Sequence, residues 1–306
     1  MKRIHMNNSQ GLLAVILLIL FALGCSSKLL NKGSLLGESP RNVDNSHMKI
    51  LSELRKSKDV DKAVQTALSF YYDSLSVINY SDRAEYVGFF LDAFLLEVSD
   101  GTKMLTTAAL LNFAKKEDFN ELNQERLVRA LYSIQDGSTS KLFLVCSKYD
   151  LKATKLVVTK IFDLHKSKVN LESNFSLRAT KNAYWVPWHA AITLAQMYEN
   201  DSYVNFLLKM IQDFSKINRE FASNTLCYDL CKVKSRNITN YIIDEFVMSD
   251  SCYGKGDDVI AFCDFYNAYS LPIKEIQSMK TASSLPPINI IRQFLTANRN
   301  KWQYED

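Results

Sequence analysis

Backbone breakers are scarce in this chain, and that scarcity constrains its fold more than any motif does. Five prolines and nine glycines are spread over 306 residues. Proline removes a helical donor and clashes with the preceding turn, and glycine costs a helix interior about 1 kcal/mol. A sandwich of many short strands would need far more turn residues than these. Long helices joined by short connections fit best, and the length allows a substantial core in one or two domains.

Helical spacing begins at about Met48. Met48, Leu51 and Leu54 recur three apart, and Val60, Val64, Ala67, Leu68 and Tyr71 follow at three and four, as one stripe of a helix does. The run from Tyr86 to Leu96 is apolar enough for a helix buried on most sides, although part of it also suits a strand. Helices are expected over 103–116 and 120–135, the second with Glu121, Glu125, Arg126 and Arg129 on its charged face. Residues 139–148 and 151–165 make the next pair, within which Lys141 to Cys146 suits strand as well as helix. Further helices fit 219–232, 237–249, 257–270 and 288–298.

The clearest unit is 184–216. Tyr184, Pro187, Trp188, Ala191, Leu194, Ala195 and Tyr198 share one helical stripe, and Glu199-Asn200-Asp201 makes a short polar turn. Val204, Phe206, Leu207, Leu208, Met210, Ile211 and Phe214 then form a facing helix. Pro187 belongs to the first turn, where its missing N–H costs nothing, or marks a kink. An early proline, two small alanines, a tight turn and a greasier second helix resemble a HEAT-type repeat. The resemblance implies an all-α fold of antiparallel helical pairs, stacked as an irregular HEAT/armadillo-like α-solenoid. In such a stack each hairpin leaves an apolar face for its neighbour to cover.

The first residues follow a different logic. Lys2 and Arg3 precede twelve apolar residues, Leu12 to Leu23, which is the layout of an export signal. A membrane-spanning helix needs roughly 20 such residues. The segment ends Ala22-Leu23-Gly24-Cys25 and resembles the lipobox of bacterial lipoprotein precursors, whose usual pattern has Leu three residues and Ala or Ser two residues before the Cys. The resemblance implies cleavage between Gly24 and Cys25, lipidation of Cys25 and a bilayer anchor. Ser26 then implies an outer-membrane position facing the periplasm in a Gram-negative host. Residues 26–47, rich in Ser, Asn and Gly, read as a flexible tether. The expected organisation is a signal peptide at 1–24, lipidated Cys and tether at 25–47, a helical repeat domain at 48–300 and a tail at 301–306.

The chemistry in sight is sparse. Without Lys2 and Arg3, the 37 basic residues become 35 against 33 acidic, a net charge of +2 with no basic stripe, which argues against a nucleic-acid partner. Cys227 and Cys231 lie four apart on one helical face. They read as small hydrophobes, with disulfides involving Cys252 or Cys263 as the alternative and no ligand cluster for a metal. His189 reads as a core imidazole bonded to a backbone carbonyl, or as a general base if a carboxylate orients it. Gly254-Lys255-Gly256-Asp257-Asp258 lacks the spacing of a phosphate loop and fits a helix connection, with Asp257 as N-cap. Tyr184, Trp185, Trp188 and Tyr198 read as core or as an interaction face for a protein partner.

No catalytic residue, cofactor or metal is expected from these patterns. The function they favour is a non-enzymatic interaction or assembly platform in the bacterial cell envelope, with another envelope protein as partner. An envelope hydrolase acting on cell-wall or polysaccharide material, with acid and base carboxylates on separate helices, is the alternative. A small-ligand or lipid-binding module is a third.

Overall fold

The computed structural model describes residues 44–167, 169, 184–198, 200–218, 221–233, 235–248 and 288–298. Among them every regular element is helical. The longer helices are α1 (Asp44–Leu54), α2 (Val60–Ser74), α3 (Tyr80–Asp92), α4 (Asp100–Phe113) and α5 (Glu121–Tyr132). After a 3-10 turn at Ser140–Leu142 come α6 (Phe143–Lys148), α7 (Lys155–Lys166), α8 (Trp185–Met197) and α9 (Asp201–Ile217). The chain continues through a π turn at Ala222–Leu226 to α10 (Cys227–Leu230), then α11 (Arg236–Ile242) and α12 (Ile288–Asn298).

Polar side chains set where these helices start. Asp59, Asn79, Ser99, Asn120 and Asn200 each accept a hydrogen bond from a backbone N–H in the first turn of the helix that follows. Each such cap contributes about 1 kcal/mol. The Ser99 cap explains why α4 opens at Asp100 rather than at Lys103. At the other end of α6, Asp150 adopts a left-handed backbone with φ 50°, and Leu151 N donates to Cys146 O at 2.9 Å. That closure stops α6 at the expected Tyr149-Asp150 junction. Lys141 to Cys146 is helical, not strand: with Leu142 to Cys146 all buried, no outward face is left to show a helical period.

Alternate helices stack in two layers. In one, α1 packs on α3, α3 on α5 and α5 on α7; in the other, α2 packs on α4, α4 on α6 and α6 on α8. Hydrogen bonds repeat with the stacking. His47 with Tyr86, Asn123 with Ala84, Ser133 with Phe94 and Tyr149 with Leu110 each join residues 39 apart. His47 therefore belongs to the folded body: α1 opens at Asp44, before the end of the expected tether, and buries the imidazole against the Tyr86 hydroxyl at 3.1 Å.

Within the first layer, Gly88 on α3 leaves room for side chains of α5. A Cβ there would overlap the Arg126 guanidinium and come within 2.7 Å of Asn123 Oδ1. Arg126 consequently lies largely covered against α3, donating to Asn123 Oδ1 at 2.9 Å and facing Asp92 at 3.5 Å, whereas Glu121, Glu125 and Arg129 stay exposed as expected.

A buried ion pair braces the same region. Arg83 Nε donates to Asp118 Oδ1 and Oδ2 at 2.8 and 2.6 Å, and Asp118 is fully buried. Asp118 Oδ2 also accepts from Lys115 N at 2.8 Å, and Arg83 Nη2 donates to Glu117 at 3.2 Å. The hydrogen bonds to Asp118 raise the Arg83 pKa above its ordinary value, against the effect of burial. Removing one partner of such a pair strands the other charge away from water. Asp118→Ala should therefore lower stability by roughly 3–5 kcal/mol in urea denaturation.

Candidate functional site

Three elements meet in a second buried polar cluster. The 3-10 turn before α6 brings Ser140, α8 brings His189 and α10 brings Asp229, and none is more than 3% exposed. Ser140 Oγ lies 2.7 Å from His189 Nδ1, and His189 Nε2 lies 3.3 Å from Asp229 Oδ2. The same oxygen accepts from Trp188 Nε1 at 3.4 Å, and Asp229 Oδ1 accepts from Lys232 Nζ at 2.8 Å. Trp185 stacks nearly parallel on the imidazole, with ring centroids 5.3 Å apart and an interplanar angle of 10°.

Helical register explains the convergence. Leu226, Asp229, Leu230 and Val233 are spaced three and four apart and all are buried, so the carboxylate sits on an inward stripe. Every residue of α8 from Val186 to Leu194 is buried, which leaves His189 nowhere to point but into the core. Its N–H then needs an acceptor, because one left without costs about 1–3 kcal/mol when buried, and Asp229 supplies it.

The charges are arranged to suit. Burial works to raise the Asp229 pKa, but the hydrogen bond from His189 and the nearby Lys232 outweigh it and hold the carboxyl well below the usual range. Burial lowers the His189 pKa below its ordinary 6.5, and the hydrogen bond to Asp229 opposes that fall. At neutral pH the imidazole is accordingly uncharged. An ionised Asp229 can only accept, which favours the proton on Nε2 and leaves Nδ1 to accept from Ser140. Lys232, one third exposed along its side chain, neutralises the carboxylate and carries the cluster to the surface.

The order hydroxyl, imidazole, carboxylate is that of a nucleophilic triad. Nucleophilic catalysis also requires the oxygen to reach a substrate carbonyl, and Ser140 has no exposed surface and a second acceptor in Gly137 O at 2.9 Å. In this arrangement the cluster is a brace joining the Ser140 turn, α8 and α10.

Other expected site residues fall in different places. Tyr184 and Trp188 are buried, and Tyr184 packs on Phe214 and Trp185 at ring distances of 4.9 Å, so that part of the aromatic cluster is core and presents no outward anchor. Trp185 and Tyr198 are half-buried, with Lys155 Nζ 3.8 Å above the Tyr198 ring. Cys227 and Cys231 are buried thiols and no disulfide joins them. Cys146 is likewise a buried thiol, its pKa pushed up to about 12 by burial. No cluster of metal-ligating side chains occurs among the described residues. Gly24, Cys25, Cys252, Cys263, the 254–258 loop, the 257–270 helix and the 301–306 tail lie outside the described residues.

The two shifted groups act on stability in the same direction. The unfolded imidazole gains a proton near its ordinary 6.5 while folded His189 resists it, so acidification below that value favours unfolding. Folded Asp229 contributes stability that is complete above its ordinary 3.8 and is lost as pH falls through its lower folded value. Urea denaturation should show stability declining first below pH 6.5, and His189→Gln should flatten that first decline.

Whole-chain comparison finds no matching protein-family model, no matching curated protein and no matching solved structure, so the residues themselves carry the functional reading.

Proposed function

We propose that this protein is a bacterial envelope lipoprotein, anchored by acylated Cys25, whose helical body is a non-enzymatic platform for assembling other envelope components. The observation that carries the platform reading is the 39-residue register between next-but-one helices. It matches the ~40-residue unit of HEAT and armadillo stacks, and it supports a body built as such a solenoid. Stacks of this kind offer long surfaces for partners.

Side-chain placement fits a surface role as well. The described polar clusters are turned inward as braces, while apolar rings stand outward: Phe70 and Tyr72 on α2 and Phe113 on α4 are each about two fifths exposed. Tyr72 and Phe113 touch edge to face across the two helices, with centroids 5.2 Å apart. Exposed aromatic residues of this kind favour contact with a protein partner.

Among the described residues no helix is long and apolar enough to cross a membrane. Anchoring in this proposal comes from Cys25, where two or more acyl chains would hold stably at ~0.8 kcal/mol per buried CH₂. Cys25→Ser should release the protein from the membrane fraction and abolish incorporation of labelled fatty acid. Retention and labelling equal to wild type would remove the anchor from the proposal.

The triad-like order of Ser140, His189 and Asp229 favours a hydrolase as the second reading. An active nucleophile at Ser140 would be modified by a fluorophosphonate probe, and the label would vanish in Ser140→Ala. With Ser140 covered, we expect no label in the native protein.

A further inference from the structure

We propose that Ser140, His189 and Asp229 form a proton-operated switch inside the helical stack, in which proton uptake by His189 turns the Ser140 hydroxyl from the imidazole to the Gly137 carbonyl. The inference concerns regulation within the fold and goes beyond the platform reading. Ser140 has one hydroxyl proton and two acceptors in reach, His189 Nδ1 at 2.7 Å and Gly137 O at 2.9 Å. Only one of them can receive it at a time.

With a neutral imidazole, Nδ1 is a bare acceptor and takes the hydroxyl proton. With an imidazolium, both ring nitrogens donate: Nε2–H to Asp229 and Nδ1–H to Ser140 Oγ. The serine proton is then available to Gly137 O. One proton enters from solvent and resides on Nδ1, the positive charge gained lies beside a carboxylate, and no covalent bond to a heavy atom changes. The protonated arrangement satisfies all three contacts at once.

The surroundings set where the switch works. Asp229 draws the proton, while Lys232 and Lys141 oppose it. The elements packed on α8 add apolar groups and one thiol: α6 brings buried Cys146 and Leu144, and the buried residues of α7 and α9 include Val158, Ile161, Leu207 and Phe214. From its own helix the imidazole meets the flat face of Trp185. Burial and two lysines against one carboxylate place the transition in the acidic range. Gly137 belongs to the connection between α5 and α6, so acidification would fasten that connection to the Ser140 turn.

Ring-nitrogen NMR of the full chain, labelled with nitrogen-15 on histidine and assigned with His189→Gln, tests this. At neutral pH the His189 proton should be on Nε2, and on acidification Nδ1 should gain a proton while the helical circular dichroism is unchanged. Asp229→Asn should shift that titration to about tenfold higher proton concentration or beyond. Ser140→Ala should also shift it in the acid direction, because the charge-assisted bond it removes is stronger than the neutral one. If Asp229→Asn does not fold, Ser140→Ala and the native titration still decide. A proton on Nδ1 at neutral pH, protonation only as the helices melt, or a wild-type titration in either variant would overturn the switch.

Discussion

From Val186 to Leu194, α8 has no face left for water, and a helix in that position can exist only if neighbours on every side supply its contacts. The chain meets this demand by recurrence: the helix two places earlier covers one side and the helices before and after it cover others. Each element is thus both core for one neighbour and cover for the next. Hydrophobic burial drives such stacking without fixing its register, since apolar contact has no preferred direction. Register comes from the polar bridges, which must meet their partners or pay the desolvation of a buried donor or charge.

Two of those bridges bury a carboxylate, and they solve the same problem differently. Arg83 and Asp118 form a two-oxygen ion pair with further donors around the carboxylate. Asp229 instead collects single bonds from Trp188, His189 and Lys232. A buried pair seldom adds net stability compared with apolar side chains of equal volume, but a broken one is costly. Each bridge therefore penalises a slipped stack. Gly88 adds a steric version of the same selectivity, because the Arg126 and Asn123 side chains occupy the room a larger residue would need.

Much of this architecture was legible in residue spacing. The stripe Val64, Ala67, Leu68 and Tyr71 is buried as a helix of that period requires, and the pair 184–216 appears as α8 and α9 with Asn200 capping the second. Spacing failed where burial is uniform, as at Lys141 to Cys146. It also failed where partners are distant: Ser140 and Asp229 are 49 and 40 residues from His189, so the expected backbone carbonyl was replaced by a hydroxyl and a carboxylate. The visible clue was a carboxylate in register with Leu226, Leu230 and Val233. His47 falls in the expected tether because the polar residues before it resemble linker, while its burial depends on Tyr86, far along the chain.

The span of the bridges has a consequence for how the chain is made. The described side-chain bonds between helices close over 30 to 49 residues. Loop closure over such distances costs about 2 kcal/mol less than closing a ~300-residue chain end to end, and proteins dominated by local contacts condense quickly. A segment of two or three helices can therefore begin to settle before the remainder of the chain has been made. Among the described helices, growth then proceeds by adding each new one to an existing edge.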